Sequence, residues 1–146
     1  MSLAAIGAGA SFEFRWRIWA LLRDVIVVVL EGGEASYPSF ASLGDALVSG
    51  TIKVDARALA GEVGKLRAAL GGRPLDQLVI GLRTAQVLFW GVTPTAPRPL
   101  TRSEVENVRP IGESKDLAEY FATMLDSLDH VCQHPAADGT IEIIDG

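Results

Sequence analysis

Gly7-Ala8-Gly9, with Glu31 further along, has the residue types of a dinucleotide fingerprint. In that fingerprint the glycines let a pyrophosphate approach a helix N-terminus, and the acid binds a ribose hydroxyl. Phe12, however, stands where a third glycine would allow close helix–strand packing, and no second set of strand–helix units follows. His130 and His134 are spaced to share a helix face and offer ring nitrogens to zinc. Cys132 points elsewhere on such a helix, and the chain has 1 cysteine and 2 histidines in all. Histidines near a helix C-terminus are also accounted for by the macrodipole. Gly61-Glu62-Val63-Gly64-Lys65 lacks phosphate-loop spacing, and Leu66 replaces the magnesium-binding serine or threonine. Arg15-Trp16-Arg17 with Trp19 interleaves bases and aromatics as single-strand binders do. A core aromatic beside solvated arginines is the commoner outcome. Glu104 and Glu106 are neighbouring carboxylates with nothing to place a substrate near them. No hydroxyl or thiol can be assigned a histidine base. The expectation is a protein that is not an enzyme, with no cofactor and no metal.

The elements carrying these residues admit two arrangements over Ile6 to Pro38. In one, Ile6-Gly7-Ala8-Gly9, an amphipathic run and Val25 to Leu30 open a βαβ unit. In the other, Phe14 to Leu30 is one helix closed by the turn Glu31-Gly32-Gly33-Glu34-Ala35-Ser36-Tyr37-Pro38. Phe12, Phe14, Trp16 and Ile18 alternate with Glu13, Arg15 and Arg17, so a strand can begin there. From Ile18 the period becomes helical, with Leu21, Leu22, Val25, Val28 and Val29 on one stripe. Arg17, Ala20, Asp24, Val27 and Glu31 lie opposite. The stripe runs unbroken through Leu22 to Val25, where a βαβ unit needs a turn, and this favours the helix. Five consecutive β-branched residues oppose it, at up to about 0.5 kcal/mol each relative to alanine.

Further along, Leu3 to Ala10 reads as a short edge strand. Ser39 caps a helix from Phe40 to Val48, and Thr51 to Val54 is extended. Asp55 caps a helix to Leu70, where Gly61 and Gly64 are spaced for close packing against a neighbour. Leu75 to Trp90 is apolar, with a central strand expected at Ala85 to Trp90, and Thr93 to Pro99 is a loop. Ser114 caps a last helix to Cys132, buried through Leu117, Phe121, Met124, Leu128 and Val131. Asp138-Gly139 turns into a terminal strand from Thr140 to Ile144. These elements predict an α+β fold, about four helices packed with a small sheet, in a single domain spanning residues 1–146.

The chain has 146 residues, 49% of them hydrophobic and 21% charged, a globular composition of one-domain length. Arg23 and Asp24 interrupt the apolar run Ile18 to Leu30, which is also shorter than the roughly 20 residues of a membrane span. No cleavage site follows it, and one cysteine suits a reducing cytosol, so a cytoplasmic location is expected. The net charge of −5 is concentrated. Between residues 103 and 129 stand Glu104, Glu106, Glu113, Asp116, Glu119, Asp126 and Asp129 against Arg109 and Lys115. Asp116, Glu119 and Asp126 fall near one helical face, which is either a solvated surface or one that steers a basic partner. Nucleic acid is a poor partner for such a segment.

Glu31-Gly32-Gly33-Glu34, then Ser36-Tyr37-Pro38, a short helix ending at Gly50, and Leu59-x-x-Glu62-Val63-x-x-Leu66 with Leu70 and Pro74 resemble bacterial polymorphic-toxin immunity proteins. The pattern resembles the immunity protein 70 family over roughly residues 17 to 75. Asp116-Leu117-x-x-Tyr120-Phe121 resembles it more weakly. The resemblance implies a small cytosolic non-enzyme that binds and blocks a cognate toxin. An acidic surface would suit a basic toxin such as a nuclease. Partner-binding residues expected on this reading are Asp116, Glu119 and Asp126, with Glu31 and Glu34 as a second patch. The alternatives are a structural or scaffolding domain of unassigned role, in the form of a homodimer, and behind both a small cofactor-binding enzyme.

Overall fold

Alternation of Leu3 and Ala5 with Ala4 and Ile6, and of Phe12 and Phe14 with Ser11 and Glu13, suits strands buried on one face. The computed structural model describes residues 2–78 and 101–146. In it β1 (Ser2–Ile6) and β2 (Ser11–Arg15) form an antiparallel hairpin with Leu3 opposite Phe14 and Ala5 opposite Phe12. Gly7-Ala8-Gly9 is therefore a hairpin loop, closed by the Gly7 N–H to the Ala10 carbonyl at 2.8 Å.

β2 passes directly into α1 (Trp16–Val28). The segment from Phe12 is thus strand then helix, and Phe14 belongs to the strand. The helix continues through Val25 and Ile26 because both are buried, which outweighs their weak intrinsic preference. Ala20 and Asp24, expected on an outward face, are buried too. α1 is enclosed on most sides rather than lying on the surface.

After a 3-10 turn at Gly33–Ser36 the chain forms α2 (Pro38–Ser42), a 3-10 turn at Leu43–Asp45, and α3 (Ala46–Ser49). This helical segment starts at Pro38, so Ser39 lies inside its first turn and does not cap it. β3 (Thr51–Asp55) leads into α4 (Ala56–Leu70), capped as expected by Asp55, whose carboxylate accepts the Ala58 N–H at 2.8 Å. Gly61 and Gly64 have nothing within 4 Å of an added Cβ, so they face open space rather than a packed neighbour. Of the apolar run from Leu75, the described part is a 3-10 turn at Leu75–Leu78. The strand expected at Ala85 to Trp90 and the loop at Thr93 to Pro99 lie outside the described residues.

α5 (Arg102–Val108) begins with a reciprocal Thr101–Glu104 capping box. α6 (Leu117–Cys132) is capped by Asp116, not Ser114, and buries Leu117, Phe121, Met124, Leu128 and Val131 as its spacing predicts. β4 (Thr140–Asp145) completes a sheet of order β2-β1-β4-β3, antiparallel throughout. β1 is therefore interior, and β2 is the edge, because the last strand inserts between β1 and β3. α6 packs along α4 and against β1, β2 and β4. The class is α+β.

α2 has no capping side chain of its own. Its unpaired first-turn donors, one part-buried and one buried, are met from α4 instead: the Glu62 carboxylate accepts the Ser39 N–H at 3.1 Å and the Phe40 N–H at 3.0 Å. Glu62 is only 8% exposed. Phe40 in turn offers its carbonyl to the Trp19 indole N–H at 2.9 Å, and the Trp19 ring lies on Gly44, where any Cβ would overlap it. Glu62→Ala should lower unfolding free energy by about 2–3 kcal/mol, because one buried and one part-buried N–H group lose a charged acceptor. On the same helix, Gly61→Ala and Gly64→Ala should each raise it by about 0.5–1 kcal/mol. Urea denaturation of the three variants measures these opposite signs.

Candidate functional site

The outer side of α6 and the turn after α1 hold the acids of interest. Asp116 ends its strand-like approach to α6 with its carboxylate accepting the Glu119 N–H at 2.9 Å and the Gly72 N–H at 2.8 Å. It therefore closes the helix and fastens it to the end of α4. Glu119, exposed, accepts the Lys115 N–H at 2.7 Å. Asp126, exposed, pairs with Arg67 of α4 at 2.7 Å, and Asp129 approaches the same guanidinium at 3.8 Å. Glu113 is exposed.

In the other patch Glu34 pairs with Arg23, whose guanidinium lies 5.7 Å from the centre of the Trp19 ring. Glu31 is exposed in the turn. Lys65 of α4 holds the next residues, donating to the Ser36 carbonyl at 3.1 Å with its ammonium 5.0 Å from the Tyr37 ring centre. Tyr37 is buried, so Tyr37-Pro38 directs the chain. On α4, Arg67 lies roughly 140–160° around the helix from Glu62 and Lys65. One side of α4 thus holds Asp126 and Asp129 of α6, another holds the chain that follows the Glu31–Glu34 turn, and Glu34 itself is tied to α1.

The remaining chemical candidates are placed as follows. The Ala8 N–H donates to the His134 carbonyl at 2.7 Å, and a Cβ on Gly7 would overlap that oxygen. Gly7-Ala8-Gly9 thus covers the carbonyl end of α6, the opposite polarity from a phosphate cradle. His134 Nδ1 lies 3.0 Å from the His130 carbonyl oxygen, and the two rings are 4.8 Å apart. Among the described residues no three His, Cys, Asp or Glu side chains are grouped to hold a metal ion. Gly61 to Lys65 is mid-helix, and Trp16 and Trp19 are buried. Glu104 belongs to the capping box, and Glu106 accepts the Ile111 N–H at 3.1 Å. Among the described residues no helix is long and apolar enough to cross a membrane.

One feature escaped the residue pattern. Phe12, Phe14, Ile18, Val108 and Met124 line a surface groove together with Arg15 and Arg109. Its walls come from four elements, so no local spacing announces it. No protein-family model, no curated protein and no solved structure matches this chain.

The two backbone donors, that of Glu119 foremost and then that of Gly72, hold the Asp116 carboxyl below its ordinary value of 3.8. A depressed folded-state pKa gives stability that is present above 3.8 and is lost as pH falls through the lower folded value. Asp116→Ala should therefore melt below the wild type at pH 6. The gap should close progressively as pH is taken below 3.8, which a melting series in pH reads directly. Burial, with a smaller contribution from Asp129, pushes the Cys132 thiol up to about 11. At pH 7.5 it should react with a disulfide reagent far more slowly in the folded protein than after denaturation.

Proposed function

We propose that this protein binds and neutralises a cognate bacterial toxin, presenting the acidic side of α6 to a basic protein partner. The observation that carries this reading is how charge is distributed around that helix. Leu117, Phe121, Met124, Leu128 and Val131 are buried, while Glu119 and Asp126 lie outward on the helix and Glu113 is exposed in the turn before it. Among the described residues, Arg67 is the base that meets this surface by ion pairing, and it is shared between Asp126 and Asp129, leaving the segment strongly negative. A field of one sign accelerates encounter with an oppositely charged partner and suppresses encounter with an anionic one.

The resemblance to immunity proteins supports the choice of a toxin as partner. Its residues include Glu62, Tyr37 and Pro38, the same ones that set the path of the chain between α1 and α2. On this reading they shape the protein, and the acids of α6 meet the partner. Glu31 and Glu34 form the second, smaller patch, with Glu34 tied to Arg23.

The reading expects the neighbouring gene to encode a toxin domain, and the test is association with that domain. Glu113→Lys combined with Asp126→Lys reverses charge while sparing Asp116 and Glu119, whose carboxylates accept backbone N–H groups at the start of α6. The pair should slow association by about tenfold at low ionic strength and flatten its salt dependence. Failure of the two proteins to form a complex, or an unchanged association rate, would overturn the proposal.

A further inference from the structure

The groove at the edge of the sheet has an electrostatic character opposite to that of α6. Its volume is about 270 Å³. Phe14, Ile18, Val108 and Met124 are buried beneath it, and the half-buried Phe12 ring stacks on Phe14 at 5.7 Å. The charged side chains lining it are Arg15, Arg109 and Glu13. That gives a local balance of +1 on a chain whose net charge is −5.

The chemistry of those three groups is unequal. Glu13 already accepts a hydrogen bond from the Ser2 hydroxyl. Arg109 gives one donor to the Thr123 hydroxyl at 3.1 Å, and among the described residues most of its guanidinium donors are open. Among the described residues neither Arg15 nor Arg109 is in an ion pair. Arg109 is also held in place, because its carbonyl accepts the Tyr120 hydroxyl at 2.9 Å. Two open guanidinium groups beside an apolar floor match a ligand with a carboxylate at one end and hydrocarbon at the other.

We propose that this groove binds a small apolar carboxylic acid, with its hydrocarbon on Phe12, Phe14 and Met124 and its carboxylate on Arg109 and Arg15. The size fits one short chain or one ring, since sites for drug-sized molecules begin at roughly 300 Å³. The apolar floor lowers the local dielectric and strengthens the charged pairing beside it. This site is independent of the toxin-binding reading and stands or falls without it.

Titration calorimetry on the full chain with octanoate and with 3-phenylpropionate, below any micelle concentration, tests it. At least one acid should bind saturably at one site. Octylamine and octanol should bind at least about tenfold more weakly than the acid. Arg15→Gln with Arg109→Gln should cost the acid about tenfold or more at an unchanged melting temperature. Should that variant not fold, methyl signals of Met124 and Thr123 in the wild type serve as the readout and must shift on titration. No saturable binding of either acid up to several millimolar would overturn the proposal. So would equal binding of octylamine, retention of affinity in the folded double variant, or shifts confined to other residues.

Discussion

One buried carboxylate, that of Glu62, sets the relation between the helices. Pro38 at the first position of α2 has no N–H, and Tyr37 before it has no side-chain oxygen placed to cap the turn. The next two donors, on the part-buried Ser39 and the buried Phe40, would be left without acceptors, at about 1–3 kcal/mol each. Glu62 meets both from α4. Phe40 then passes the constraint on through its carbonyl, which accepts the Trp19 N–H of α1. Three helices are registered through one residue's two backbone polar groups. The Trp19 ring seated on Gly44 leaves that arrangement little freedom to slide.

The sheet imposes a second constraint, of topology. Because β4 lies between β1 and β3, the two ends of the chain are joined, and the Gly146 N–H reaches the Ser2 carbonyl at 3.2 Å. The β1–β2 hairpin is left outermost on its side, with its loop closing over the last carbonyls of α6. Phe12 and Phe14 then face Val108 and Met124 at the sheet margin. The groove follows from this placement of an aromatic edge strand beside the α5–α6 corner.

Local sequence signals served well wherever a single element decides its own form. Asp55 before an amphipathic run, and Leu117, Phe121, Met124, Leu128 and Val131 at helical spacing, predicted α4 and α6 closely. Alternation around Ile141 and Ile143 predicted a strand, but its central position depends on partners distant in sequence. For α1 the helical period was legible through Val25, while its surroundings were not. Ala20 and Asp24 look outward on a helical wheel yet are buried, and Val28, on the inward stripe of the wheel, is 47% exposed. Ser39 and Ser114 are good caps in type, yet Pro38 starts its helix earlier, and Asp116 sits at the position where a carboxylate reaches both Glu119 and Gly72. The roles of Glu62 and of the Arg15–Arg109 pair were illegible for one reason. Each is defined by residues more than 20 positions away.

On the proposed reading, the acids at and before α6 would serve structural and partner-directed roles that need not compete. A carboxylate accepting backbone N–H groups keeps its charge, and when those bonds lower its pKa, as at Asp116, it is more securely anionic. Its contribution to the field beyond the surface persists over a Debye length of about 8 Å at physiological ionic strength. What such an acid loses is freedom to reorient toward a partner. Asp116 can therefore add to long-range attraction while anchoring α6, whereas Glu113 and Asp126, at exposed positions, can also change partners on contact. An exposed pair such as Asp126–Arg67 contributes only about 0–1 kcal/mol, so exchanging Arg67 for a base on another protein costs this fold little. If the proposed partner binds there, such a surface would combine fixed charges that attract with loosely held charges that engage.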